Sequence, residues 1–336
     1  MQNNTRHSAD HDRPIVTLQS HILQEQLKIP GSTGTLSWIL SALSISAKII
    51  SSKVRCARLE NVLGDTGSGN VQGEQQQKLD VISNNVLLRL LEGREGVAIV
   101  ASEENEEPLI IRNDLSAERR YCVLFDPLDG SSNLDVCGGV GTIFSILKHD
   151  RRTTDAQSAL LQAGSQQVAA GYVLYGSSTI FVLTVGHGVD MFVLDPAVGA
   201  FMLVERGIQT PAANKSYSVN EGNRRSFPVG YQKYLDWAQE SGYSSRYVGS
   251  MVADVHRILL KGGVFMYPPT QKAPAGKLRL MYEANPMAML MEQAGGKALA
   301  GVDQRILDVQ PKNIHERTPV ILGSRDEVDH VARNLS

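Results

Sequence analysis

A mixed α/β (α+β) chain of two packed layered units is predicted by three observations. Helical periodicity dominates up to residue 92, short apolar runs of strand type fill 97 to 205, and helices return after 206 in alternation with short strands. The expected domains are therefore 17–205 and 206–336, behind a disordered N-terminus over 1–16. At 336 residues the chain is long enough to bury two joined cores.

From Thr17 to Lys28 and from Leu36 to Val54 apolar residues recur at helical spacing (Leu36, Ile39, Leu40, Leu43, Ala47, Ile50), with the breaker cluster IPGSTGT between. The Gly- and Asn-rich stretch GDTGSGNVQGE at 64–74 reads as a mobile surface loop. Between Gln75 and Leu91, Leu79, Ile82, Val86, Leu87 and Leu90 share one face of an amphipathic helix closed by Gly93. The strand-like runs VAIVAS, PLIIR, YCVLF, TIFSIL, VAAGYVLY, TIFVLTV, MFVLD and AFMLVE follow. Their short Gly-containing connections favour a largely antiparallel sheet. Further on, YQKYLDWAQ, VADVHRILL and NPMAMLMEQAGG read as helices, GVFMY and PVILGS as strands.

A formal net charge of −2 gives no general attraction to phosphate polymers, which argues against a nucleic-acid partner and leaves room only for a local anion pocket. Cys56, Cys122 and Cys137 form no CxxC pair and read as reduced thiols, the expectation for a cytoplasmic protein. The polar start MQNNTRHSADHDRP lacks the apolar core of a secretory signal, and no later stretch is expected to span a bilayer, so no membrane partner is expected.

Two acidic clusters carry the chemistry. In FDPLDGSSN, Asp126 follows the apolar strand YCVLF, Pro127 ends that strand, and Asp129 can face the same side three residues later. Gly130 clears space for a ligand, and Gly130, Ser131, Ser132 and Asn133 offer backbone N–H groups and hydroxyls suited to a phosphate. A plain Pro-Asp-Gly turn explains the same spacing. Glu103 and Glu104 likewise end the strand VAIVAS, and SEENEE alone is equally a solvated charge run. If both strands share one sheet, four carboxylates converge, which is costly unless cations occupy the cluster. The donors are all oxygens, with no His or Cys within FDPLDGSSN or SEENEE, which favours Mg²⁺ or Mn²⁺ over zinc.

In KLRLMYE, alternation puts Lys277 and Arg279 on one face of a short strand, a face that Met281 can extend, and Glu283 opens the following helix. Two cations beside a carboxylate suit a sugar phosphate, while a charged edge strand fits the same pattern. DTGSG at 65–69 is similar to an aspartic-protease loop but has no second copy to form a dyad. No GxxxxGK[ST], HExxH, GxSxG or GxGxxG occurs. His256, in an apolar helix, reads as a packed histidine.

Over roughly residues 17 to 333 the chain resembles the class I fructose-1,6-bisphosphatases, within the metal-dependent, lithium-sensitive sugar and inositol phosphatase superfamily. FDPLDGSSN carries the superfamily resemblance; KLDVISN, YSVNEGN, RYVGSMVADVHR and GKLRLMYEANPMA carry the narrower one. The resemblance implies a layered sugar-phosphatase fold, α-β-α-β-α, with two packed sheets and helices between and outside them. It also implies Mg²⁺-dependent hydrolysis of fructose 1,6-bisphosphate to fructose 6-phosphate and phosphate, in gluconeogenesis or a carbon-fixation cycle.

By that resemblance two or three Mg²⁺ ions, or Mn²⁺, are held by Glu103, Asp126, Asp129, Glu283 and the Leu128 carbonyl. Glu104 and Asp80 orient and deprotonate water, and Glu74 sits in a closing loop where the family usually has Asp. Gly130, Ser131 and Ser132 cradle the cleaved phosphate. Asn220, Tyr247, Tyr267 and a neighbouring subunit's Arg246 meet the 6-phosphate, with Lys277 and Met251 beside the sugar. Asn223 stands where a tyrosine is common.

The resemblance further implies a homotetramer with AMP as an inhibitor at Thr33, Gly34, Leu36, Ser37, Arg120, Tyr121 and Lys148. Thr35 replaces a usual Glu there, and Ser32 a usual Gly. Residues 150–166 lack the cysteines of the light-regulated plastid enzymes. Sedoheptulose-1,7-bisphosphatase activity is the nearest alternative, since both substrates present the same bisphosphate ends. A non-catalytic sugar-phosphate or AMP sensor is the alternative of another class, and the intact carboxylate set argues against it.

Overall fold

The computed structural model describes residues 14–28, 32–69, 75–112, 120–149 and 155–335. Of the N-terminus expected to be disordered over 1–16, residues 1–13 lie outside them, as does the proposed loop residue Glu74; Val16 is ordered, its carbonyl accepting the Leu203 N–H at 2.8 Å.

Helices α1 (Leu18–Leu27) and α2 (Thr35–Cys56) open the described chain. A small antiparallel hairpin of β1 (Asp65–Gly69) and β2 (Gln75–Gln77) leads into α3 (Lys78–Glu92). Two expectations change here. Asp65–Gly69 is a strand rather than loop, and the third helix starts at Lys78 because Gln75 and Gln77 pair with Gly69 and Asp65. The helix ends at Gly93, as its sequence predicts.

The strand-rich middle forms one twisted sheet from β3 (Val97–Ser102), β4 (Leu109–Ile110), β5 (Tyr121–Asp129), β6 (Val140–Lys148), β7 (Gln167–Tyr175), β8 (Thr179–Thr184), β9 (Asp190–Asp195) and β10 (Ala200–Glu205), with the short α4 (Ala156–Leu160) between β6 and β7. The strand order is β10-β9-β8-β7-β6-β5-β3-β4. Neighbours are antiparallel except β3 and β5, which run parallel with Ser102 opposite Phe125.

The C-terminal region supplies β11 (Ser216–Ser218), α5 (Val229–Glu240), β12 (Ser244–Ser245), α6 (Met251–Lys261), β13 (Val264–Tyr267), β14 (Leu278–Arg279), α7 (Asn285–Gln293), β15 (Lys297–Leu299), β16 (Arg317–Thr318), β17 (Val320–Gly323) and α8 (Arg325–Leu335). A second sheet has the order β12-β11-β13-β17-β15, and β14 pairs with β16 apart from it. The strand expected over 277–283 is cut to two residues. A π-helical turn, Leu280–Ala284, replaces its second half, so Met281 is core rather than part of a strand face.

Period-two alternation divides the interior. Val123 and Phe125 of β5 join the core under α1, α2 and α3, whereas Cys122 and Leu124 face a second core shared with α6 and α7. Phe265 and Leu322 close that second core from the other sheet, while Val264, Met266 and Ile321 face α5 and α8. The layers are thus α-β-α-β-α, as the resemblance implies. Of the predicted α2 face, Ile39, Leu40, Leu43, Ala47 and Ile50 are buried. By length and composition α2 is apolar enough to cross a membrane, contrary to expectation, but half of its apolar window is buried inside the fold, as suits a core helix.

Candidate active site

Parallel pairing of β3 with β5 brings two strand ends to the same edge, and both end in acids. Glu103 follows β3, its N–H donating to the Phe125 carbonyl at 3.0 Å, and Glu104 comes next in the turn. In β5 the register slips between Asp126, opposite Ile143, and Asp129, opposite Gly141. Three residues thus span two on the partner, a bulge that turns both aspartates to one face despite their odd spacing. Strand β5 therefore runs on through Pro127 instead of ending there, a correction to the sequence reading. The β6 partner residue Thr142 donates its hydroxyl to the Pro127 carbonyl at 2.9 Å.

These groups line a cleft of about 620 Å³ with Asp80, Leu128, Gly130, Ser131, Ser132 and Asn133 on the same side. One oxygen each of Asp126, Asp129 and Glu283 lies within 4.8 Å of the others, and all three residues are buried. Asp126 Oδ1 accepts the Leu128 N–H at 2.9 Å. Asp129 Oδ2 accepts the Ser250 hydroxyl at 2.7 Å and the Val252 N–H at 2.9 Å, so the N-terminus of α6 fixes it. Asp80, on α3, accepts the Gln77 N–H at 2.8 Å through Oδ2, while Oδ1 is buried with no hydrogen-bond partner. Gly130 has φ +74, and a Cβ there would stand 2.5 Å from Ser250 Cβ. The packing of α6 thus itself requires glycine there.

Arg279 differs most from its expected role. It is buried, its guanidinium pairs with Glu103 and lies 3.8 Å from Glu283, and its N–H donates to Glu283 Oε2 at 2.7 Å. It neutralises part of the acidic wall instead of presenting a free cation to a phosphate. Burial nonetheless dominates: Glu283 is pushed up to about 7 despite Arg279, and burial, helped by the charge of Glu103, pushes Asp80 up to about 7. Burial, then the charges of Glu103, Glu283 and Asp129, holds Asp126 well above the usual carboxylate range. Burial also raises Asp129 and Glu104. Such a cluster is costly to ionise unless cations offset its charge. An all-oxygen donor set, with no His or Cys among the described cleft residues, fits a hard divalent metal ion.

Asn220, Tyr247, Met251, Tyr267 and Lys277 line the same cleft. Burial pushes the Tyr247 phenol up to about 12, so it stays protonated and able to donate to an anion. Arg246 is exposed, donates to the Ser245 carbonyl at 3.1 Å and lies outside its own chain's cleft. Asn223 is likewise exposed, in the turn Glu221–Ser226. The AMP set divides. Leu36 and Ser37 line a separate cavity of about 60 Å³ between α1, α2 and the end of β8, whereas Thr33, Gly34, Arg120, Tyr121 and Lys148 are not among its lining residues. Gly34, with φ +80, caps α2.

Two cleft contributors escaped the sequence reading. Asp254 accepts the Val248 N–H at 3.0 Å and the Gly249 N–H at 3.0 Å, shaping the segment that carries Tyr247. Ser250 caps α6 and holds Asp129; a serine just before an apolar helical run is the signal that marks it. His256 is a packed histidine as expected, its Nδ1 2.8 Å from the Tyr172 hydroxyl.

The family model described as "Fructose-1-6-bisphosphatase, N-terminal domain" matches residues 16–206, and that for the C-terminal domain matches 210–336. The chain belongs to the fructose-1,6-bisphosphatase family. A class 1 fructose-1,6-bisphosphatase from Chlorobium chlorochromatii is 49% identical over 324 residues, covering 94% of this chain and 96% of the relative. One from Persephonella marina is 51% identical over 320 residues, covering 95% and 98%. Fructose-1,6-bisphosphatase of Leishmania major in holo form superposes with a TM-score of 0.89 at 41% identity, covering 96% of this chain and 99% of that one. The T-state of that fructose-1,6-bisphosphatase gives 0.84 at 40% identity with the same coverage.

Proposed function

We propose that the chain hydrolyses the 1-phosphate of fructose 1,6-bisphosphate, releasing fructose 6-phosphate and phosphate with Mg²⁺ as its metal. The convergence of buried Asp126, Asp129 and Glu283 in one cleft with Tyr247, Tyr267 and Lys277 carries this reading: groups suited to cations and groups suited to an anion line the same space. Glu103, Asp126, Asp129, Glu283 and the Leu128 carbonyl would hold two or three ions. Bound divalent cations screen phosphate charge, acidify water and stabilise the leaving alkoxide.

The chain's own residues do the rest. Gly130, Ser131 and Ser132 hold the phosphate to be cleaved. Glu104 and the unpaired Oδ1 of Asp80 take up the proton of the attacking water. Asn220, Tyr247 and Tyr267 hold the 6-phosphate, joined by Arg246 from a neighbouring copy in a homotetramer, while Lys277 and Met251 position the sugar. The exposure of Arg246 outside its own cleft supports that arrangement. Unpaired cysteines support a cytoplasmic location. AMP inhibition at α2 is supported by the Leu36 and Ser37 cavity.

Phosphate release from fructose 1,6-bisphosphate, sedoheptulose 1,7-bisphosphate and inositol 1-phosphate, with Mg²⁺ and then with chelator, tests the reaction. Fast, chelator-sensitive release from the fructose ester is expected, and none from any ester would overturn it. AMP titration is expected to slow the rate; an unchanged rate at saturating AMP removes that part.

A further inference from the structure

Strand β2 touches both halves of the proposed proton-accepting pair through adjacent residues. The side chain of Gln76 donates from Nε2 to Glu104 Oε2 at 2.6 Å, and the backbone N–H of Gln77 donates to Asp80 Oδ2 at 2.8 Å. We infer that Gln76 is a positioning residue for the reaction, holding the Glu104 carboxylate at its working distance from Asp80. The inference deepens the proposed hydrolysis and rests on Glu104 and Asp80 accepting the proton.

The backbone around Glu104 is already fixed without Gln76. Glu103 N–H donates to the Phe125 carbonyl at 3.0 Å, Glu104 N–H to the Ser102 hydroxyl at 3.2 Å, and Asn105 N–H to the Ser102 carbonyl at 3.2 Å. Asn84, one helical turn beyond Asp80 on α3, donates from Nδ2 to Asn105 Oδ1 at 2.9 Å. What these bonds leave undetermined is the torsions of the Glu104 side chain, which is only half-buried and which also shares a side-chain hydrogen bond with the neighbouring Glu103. Gln76 acts on that freedom. It suits the task because a neutral amide orients a carboxylate without contributing a full charge, whereas a lysine or arginine would bind Glu104 as an ion pair and weaken it as a base. The donor also comes from the strand whose next residue fixes Asp80, so one dipeptide sets both carboxylates.

The test uses the full-length chain with saturating Mg²⁺ and fructose 1,6-bisphosphate, comparing Gln76→Met, Glu104→Gln and the double variant. Methionine keeps the length of glutamine and removes the donor. Expected for Gln76→Met is a kcat about 5- to 30-fold lower, a KM within about twofold of the parent and an unchanged melting temperature. Glu104→Gln is expected to lose at least about 100-fold in kcat, and the double variant to lose no more than about twofold beyond it. A Gln76→Met enzyme at parental kcat, or one whose loss recurs undiminished on the Glu104→Gln background, overturns the inference while leaving the proposed reaction standing. Glu104→Gln at parental kcat overturns the role of Glu104 and the inference with it. Gln76→Asn keeps the amide but falls one methylene short, and is expected to match Gln76→Met. It decides the matter should the methionine variant fail to fold.

Discussion

On the acidic side of the cleft Asp80, Glu103, Asp126, Asp129 and Glu283 are all buried, and each is fixed by a sheet register, a helix terminus or an ion pair. Elsewhere in the cleft Tyr247 is 36% exposed, Lys277 is exposed, and Asn220 sits at the start of a short turn. The first wall is prearranged at an electrostatic cost that cations must offset. The second is solvated and adaptable, and it holds an anion at little cost to the empty protein. Under the proposed function, reaction chemistry falls to the buried wall and substrate grip to the more exposed one.

Removing a charge from the rigid wall has the largest expected effect. Asp129→Asn keeps the shape and the acceptor for Ser250 and Val252, yet deletes an anionic ligand; kcat with Mg²⁺ is expected to fall at least about 100-fold while circular dichroism stays unchanged. Parental kcat at equal Mg²⁺ would show that the wall binds no essential metal.

Next in size is pH. Burial raises Asp80 from 3.8 and Glu283 from 4.5 to about 7, so between those values the fold binds protons that the unfolded chain has released. Stability of the metal-free protein therefore falls as pH rises through that window, by on the order of a few kcal/mol, and saturating Mg²⁺ removes the fall. Melting curves from pH 5 to 8 with and without chelator check this; equal slopes in both would break the contrast between the walls.

On the adaptable side, Lys277→Ala is expected to raise KM about 10-fold and leave kcat within a few-fold, measured by phosphate release. The smallest change is expected from Asn223→Tyr, which adds a phenol near the cleft rim and should lower KM about twofold. A larger drop would mean that this wall, too, works by prearranged contacts.

These walls also differ in how far the sequence exposes them. Strand-end acids after VAIVAS and YCVLF are visible because a short continuous apolar run announces where its carboxyl end lies. That the two strands are neighbours and parallel is not, since pairing over a long connection leaves no local trace. Nor is the bulge at Asp126 to Asp129, where Pro127 reads as a terminator although β5 continues through it. The placement of Arg279 is hidden for a similar reason. Its alternation with Lys277 suggests a shared face, but the π-helical turn that follows swings Glu283 back onto the backbone N–H of Arg279. The sugar side, built from Asn220, Tyr247 and Tyr267 on separate segments, has no periodic signature, and only resemblance to a family brings those residues to notice.

Pairing β3 with β5 in parallel has a consequence for how the chain acquires its activity. These strands are joined through the edge strand β4, so their contact is non-local compared with the hairpins β7–β8, β8–β9 and β9–β10. Hairpins of that kind close early, whereas a parallel pair waits for its longer loop. Cation binding should then mature later than sheet content during refolding. A slip of one residue between β3 and β5 would turn their alternating side chains to the opposite face, leaving a protein with ample β-structure and no competent cluster. Metal affinity in this chain is a readout of strand register.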